Sequence, residues 1–229
     1  MNLFKKQNLH IDSVTIPDFG WNNFKSDKDI KQWVNPEQSI VLSINFFNAK
    51  PDIPSIKNID ALRFFYRDQL SKQNGGILQV DIIELKGYKI IKTVFKVQIE
   101  EKKVIYLASL TIPFHNCSYV IKVQAAEAGH TGSREAVMGL RLLNEGKITA
   151  DENGYVGWSA DPYDAYFKNG FLMNLAEKEL YDFEFSAHPL SQARTLIWKV
   201  ESGMMKRLAK LKDSSIEYVF ENCFINILR

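Results

Sequence analysis

The chain has 229 residues, of which 45% are hydrophobic and 24% charged, and Lys+Arg 29 against Asp+Glu 27 leaves a net charge of +2. That length suits one large domain or a domain with an extension. The near-balanced charge provides neither the basic field that draws nucleic acid nor an acidic tail for a basic partner, so neither is expected.

The opening MNLFKKQNLHIDSVTIPD places no long apolar run behind its lysines, so no signal or anchor is read there, and no later segment approaches membrane-spanning length. Cys117 and Cys223 lie far apart without a CxxC, which argues against a disulfide framework or cysteine zinc site and for a reducing cytoplasm. After Trp33 and the turn residues Asn35 and Pro36, SIVLSINFF predicts a strand with Ile40, Leu42, Ile44 and Phe46 on one face. A loop with Pro51 and Pro54 leads to SIKNIDALRFFYRDQL, a helix by the spacing of Ile59, Leu62, Tyr66 and Leu70, stopped at Asn74-Gly75-Gly76. Four strands follow, ILQVDIIEL, YKIIKTVFKVQ, VIYLASLTI and SYVIKVQAA, joined by hairpin-length links that imply antiparallel neighbours. In the last, Tyr119, Ile121, Val123 and Ala125 share one face.

That strand runs into residues 126–136, AEAGHTGSREA, the densest polar turn of the chain. Beyond it REAVMGLRLLNEG predicts a helix with Ala136, Leu140 and Leu143 on its apolar face and Gly146 as its stop. From Lys147 the texture changes to turn formers, in TADENGYVGWSADPYDAYFKNGF, and a boundary is placed there. Asn174 and Glu177 read as the cap of a short helix. His188 and Pro189 open the longest helix, with Leu190, Ala193, Ile197, Val200, Met204, Leu208 and Leu211 as its stripe. The last apolar stretch, IEYVFENCFINIL, reads equally as helix or strand. The expected class is α+β: an antiparallel sheet flanked by helices, an α/β/α sandwich over residues 1–147, with a helical C-terminal arm over 148–229 packed upon it.

The order ALRFFYRDQL, GGILQVDIIELKG, YLASLTIPF, EAGHTGSREA resembles the PsbP-like fold, named for an extrinsic photosystem II protein and shared by bacterial proteins that include type VI effector chaperones. The resemblance covers Trp33 to Leu143 and implies a module that acts by binding other proteins. DPYDAYF and HPLSQAR are similar to segments of uncharacterised bacterial proteins.

In the 126–136 turn, Gly129 and Gly132 let the chain reverse, Thr131 or Ser133 is expected to cap the helix, and Glu135 to complement its dipole. Glu127, His130, Thr131, Ser133 and Arg134 then form a candidate weak anion or partner site at a helix N-terminus. The turn lacks the P-loop lysine, the third glycine of a dinucleotide fingerprint and the GxSxG elbow, so no catalytic residue is assigned. Asp161, Tyr163, Asp164, His188 and Arg194 are expected to lie together as a polar network anchoring the arm. With no HExxH and no EF-hand series, no metal ligand set and no cofactor is assigned. KRLAKLK reads as a solvated helix face and the four tryptophans as core. The resulting expectation is a cytoplasmic, non-enzymatic module for an unidentified protein partner, chaperone-like or immunity-like. The alternative is a small metal- or phosphate-dependent hydrolase using the 127–135 loop and acids of the tail.

Overall fold

Strand β1 (Asn22–Ser26), β2 (Ile30–Val34) and β3 (Ile40–Phe47) come first, then helix α1 (Ile59–Ser71). Strands β4 (Gly75–Leu85), β5 (Tyr88–Glu100), β6 (Lys103–Pro113) and β7 (Ser118–Ala126) follow, then α2 (Ser133–Asn144), the short β8 (Thr149–Asp151) and β9 (Gly154–Val156), and α3 (Pro189–Met205). This computed structural model describes residues 9–100, 103–127 and 132–205. The seven longer strands make one antiparallel sheet in the order β1-β2-β3-β7-β6-β5-β4. After β3 the chain crosses through α1 to the far edge and meanders back, so β7 pairs with β3 in a register that sets Leu42 opposite Val123 and Ile44 opposite Ile121. The first hairpin of the meander turns on Lys86 (φ 54) and Gly87 (φ 84), two left-handed residues whose twist matches that of the flanking strands.

Strand alternation divides the core in two. Leu42, Ile44, Val94, Ala108, Leu110, Ile121 and Val123 face α3, which buries Leu190, Ala193, Ile197, Val200 and Met204 against them. Each of those five helix residues is 0% exposed, and burying each larger one stabilises by about 1.5–3 kcal/mol. On the other face α1 sets Leu62, Tyr66 and Leu70 against Val80, Ile91 and Phe95. Asn58 starts α1 by accepting the Ala61 N–H at 3.0 Å. The sheet is thus flanked by helices on both faces, an α+β architecture.

Several details depart from the sequence reading. β1 and β2 went unmarked, because their residues are exposed or half-buried and carry no apolar alternation. The inward face of α2 is Arg134, Met138 and Leu142, whereas Ala136 is exposed and Leu140 is 60% exposed. Met138 and Leu142 close a third, small cluster with Ile148 and Ala176. Asn174 and Glu177 do form a reciprocal capping box, but on a single 3-10 turn, Leu175–Glu177. The helix stripe beyond Met204 and the IEYVFENCFINIL stretch lie outside the described residues.

The segment after β9 is a strap around the β4 edge. Backbone bonds Ala160 N to Met173 O (2.9 Å) and Leu175 N to Trp158 O (2.9 Å) close a loop at its neck. Asp161 then holds Arg67 of α1 through bonds of 3.0 and 2.8 Å, Asp164 approaches the same guanidinium at 3.5 Å, and the Tyr163 hydroxyl accepts the Val80 N–H at 2.8 Å. Phe171 donates its N–H to Gly75 O at 3.0 Å. The free groups of the β4 edge are therefore partly satisfied by the strap, which removes a template for unwanted strand pairing. Only glycine fits at Gly76, where a Cβ would lie 1.9 Å from Phe171 O.

Candidate functional site

β7 delivers Glu127, and α2 starts from Gly132, whose φ of 74 confirms a left-handed turn. Gly129, His130 and Thr131 lie outside the described residues. Ser133 is exposed and is the first residue of α2, not its cap; the N-cap is Gly132, which makes no side-chain cap bond, and this corrects the cap expected of Ser133. The Gly132 N–H instead approaches Glu127 Oε1 at 3.5 Å. The positive end of α2 thus faces a carboxylate of the chain itself.

Arg134 is 1% exposed and spends its donors inside the protein. Nε donates to Ala176 O (2.7 Å), Nη1 to Ser191 Oγ (2.9 Å), and Nη2 to Lys178 O (3.1 Å) and Asp182 Oδ1 (3.0 Å). Asp182 also accepts from Ser191 Oγ at 3.0 Å and from Arg194 Nη1 at 3.1 and 3.2 Å, while Arg194 Nη2 donates to Glu177 O at 2.9 Å. This clamp ties α2, the strap and α3 together. Arg134 is consequently a bracing residue in this arrangement, not a side chain held out to an anion.

The expected polar network divides in three. Asp161, Tyr163 and Asp164 gather on α1 and the β4 edge, as described, whereas Arg194 joins Asp182 and His188 joins Glu127. His188 is the N-cap of α3: its Nδ1 accepts the Leu190 N–H at 3.2 Å. That fixes the imidazole proton on Nε2, which donates to Glu127 Oε1 at 3.2 Å. Glu135, in the first turn of α2, brings its carboxylate to the same place: one ligand atom each from Glu127, Glu135 and His188 lie within 4.8 Å of one another. Burial pushes the Glu135 carboxyl up, and the charges of Glu177 and Glu127 add to the rise against its own backbone N–H and His188. Beside the cluster opens a cavity of about 350 Å³ lined by Glu127, Ser133, Arg134, Phe185, His188 and Pro189.

Behind it sits a buried relay. The Tyr106 ring meets His188 edge-on at 5.4 Å, and its hydroxyl donates to Glu177 Oε1 at 3.3 Å. Glu177 Oε2 pairs with Lys96 Nζ at 2.8 Å, both side chains being 1% exposed. Burial drives the Tyr106 hydroxyl well above the usual tyrosine range, with the Glu177 charge assisting.

No family model and no curated protein matches the chain. Among solved structures it is similar to a protein from Bacteroides thetaiotaomicron VPI-5482 (13% identity, TM-score 0.31), the likeness covering 48% of this chain and 37% of that one. It is also similar to cyanobacterial PsbP from Synechocystis sp. PCC 6803, at 8% identity and TM-score 0.33 over 55% of this chain and 79% of that one. A third likeness is to LpqN, involved in cell envelope biogenesis of Mycobacterium tuberculosis, at 15% identity and TM-score 0.28 over 57% and 76% of the two chains. The PsbP likeness expected from element order is thus found. Likenesses this remote transfer neither a site residue nor an activity.

Sequence reasoning assigned Glu127 to the loop and His188 to the tail network, let them meet only in the alternative of a metal site closed by the tail, and took Glu135 for a dipole partner. It passed over Lys96, Tyr106, Asp182 and Ser191. One signal was present: in YKIIKTVFKVQ, Lys96 falls in phase with Ile90 and Val94, on the buried side of its strand. Cys117 is buried, and burial pushes its thiol up, which suits a packing role. Cys223 lies outside the described residues.

Proposed function

We propose that this protein is a non-enzymatic, cytoplasmic protein-binding module whose contact surface is the segment between the Leu175–Glu177 turn and α3. The observation that carries this reading is the pairing of exposure with rigidity there. Leu180 is 67% and Phe183 94% exposed, yet both flank Asp182, which is fixed by Arg134, Ser191 and Arg194. Large apolar side chains held out on a braced backbone lose little entropy on docking, which favours their use as anchors for a partner. The arm over 148–229, in this reading, is the part of the molecule that meets the partner, with the sheet domain as its support.

The test is a photo-crosslinking residue placed at Phe183 in cells, with Tyr166 as an exposed comparison position. One discrete crosslinked partner at 183, lost in Leu180→Asp and reconstituted with purified components, supports the reading, and the partner's identity separates a chaperone-like from an immunity-like role. A Leu180→Asp, Phe183→Asp double variant that binds the purified partner as wild type does would refute this surface.

A further inference from the structure

We infer that Glu127, Glu135 and His188 form a binding site for one divalent ion of the first transition row. The three donors come from separate elements, the end of β7, the first turn of α2 and the N-cap of α3, and their ligand atoms converge within 4.8 Å. Donors bound to one ion at about 2.1 Å stand roughly 3–4 Å apart, so small side-chain adjustments close the sphere. The carboxylate and imidazole of the Glu127–His188 pair are shielded, with side-chain exposures of 9% and 10%.

A second, independent observation points the same way. Glu135 Oε2 is buried and has no hydrogen-bond partner among the described residues. Buried polar atoms are almost always partnered, and a bare carboxylate oxygen beside a second carboxylate calls for a cation or a shared proton, between which metal titration decides. The long cations entering this region are committed elsewhere, Arg134 to Asp182 and Lys96 to Glu177. The adjoining cavity touches Glu127 and His188 and gives an ion both an entry path and room for water ligands.

Donor chemistry narrows the ion. One imidazole nitrogen with two carboxylate oxygens suits Zn²⁺ or Mn²⁺ over Ca²⁺, which takes oxygen donors alone. Ligation through Nε2 displaces the proton now shared with Glu127. That proton moves to Nδ1, and the Leu190 amide, which donates to Nδ1 at 3.2 Å, gives up its acceptor. The Leu190 amide is therefore a built-in reporter of occupancy.

The experiment titrates the full chain, stripped with EDTA, with Zn²⁺, Mn²⁺ and Ca²⁺ by calorimetry, and follows the Leu190 amide by NMR during the Zn²⁺ titration. Wild type is expected to bind one Zn²⁺ or Mn²⁺, with Ca²⁺ at least about tenfold weaker, and to shift the Leu190 amide on Zn²⁺ addition. Glu135→Gln, Glu127→Gln and His188→Asn should each weaken Zn²⁺ binding by about tenfold or more. Asparagine keeps the helix cap at 188, so that loss would report on the ligand and not on folding. The exposed His10→Ala should bind as wild type does. No saturable binding by wild type means the cluster holds protons only and overturns the proposal, as does Zn²⁺ binding that survives Glu135→Gln or His188→Asn. Should a variant fail to fold, an unmoved Leu190 amide in Zn²⁺-saturated wild type overturns it equally.

Discussion

Replacing Lys96 by methionine tests the buried relay most sharply. Lys96 is 0% exposed, its Nζ lies 2.8 Å from Glu177 Oε2, and it sits 3.9 Å from the centre of the Phe171 ring. Methionine fills much the same volume, so the packing loss is small and the effect is chiefly electrostatic. Among the described residues the Glu177 carboxylate then keeps the Asn174 N–H at 2.7 Å and the Tyr106 hydroxyl at 3.3 Å. Breaking a buried pair by removing one partner costs about 3–5 kcal/mol, and the two remaining donors put this case near 3 kcal/mol. Because Glu177 also closes the capping box of the strap, the loss should appear as global destabilisation, about 6–12 °C in Tm for a chain of this size. Urea unfolding followed by tryptophan fluorescence measures it. Adding Glu177→Gln to Lys96→Met should recover about half of the loss or more, since it removes the stranded charge. A Lys96→Met penalty below about 1 kcal/mol, or a double variant no more stable than the single, would refute the view that this pair holds the strap to the sheet.

Three further outcomes are expected. Gly132→Ala should cost about 1–2 kcal/mol in chemical denaturation, because the site has open space for a methyl group and the penalty comes only from its φ of 74. Gly76→Ala drives a Cβ into Phe171 O and should lift the strap, read as faster proteolytic cleavage between Asp161 and Phe171 than in wild type. Ending the chain after Lys147 strips α3 from Leu42, Ile121 and Val123 and should yield an insoluble product in expression trials, whereas a soluble fragment of wild-type stability would show that the arm is independent.

The sequence by itself determined those features whose cause is local. The alternation of Tyr119, Ile121 and Val123 produced a strand with one buried face, the stripe from Leu190 to Met204 produced a helix lying on that face, and the glycines of the 126–136 turn announced a left-handed residue, found at Gly132. Each follows from a period or a backbone preference readable within a few residues. Tertiary structure alone decided what the polar residues do. Arg134 meets Ala176, Ser191 and Asp182, and Lys96 meets Glu177, 81 residues away. Nothing local tells such a charge that its partner will arrive across the fold, so Arg134 was read as facing outward and α2 was turned to the wrong face. The same reason separates Asp161 from His188 and brings His188 to Glu127, 61 residues distant. A hydrophobic face needs only to be apolar to find the core, but a buried charge is stable only opposite one particular partner, and the whole chain path chooses that partner.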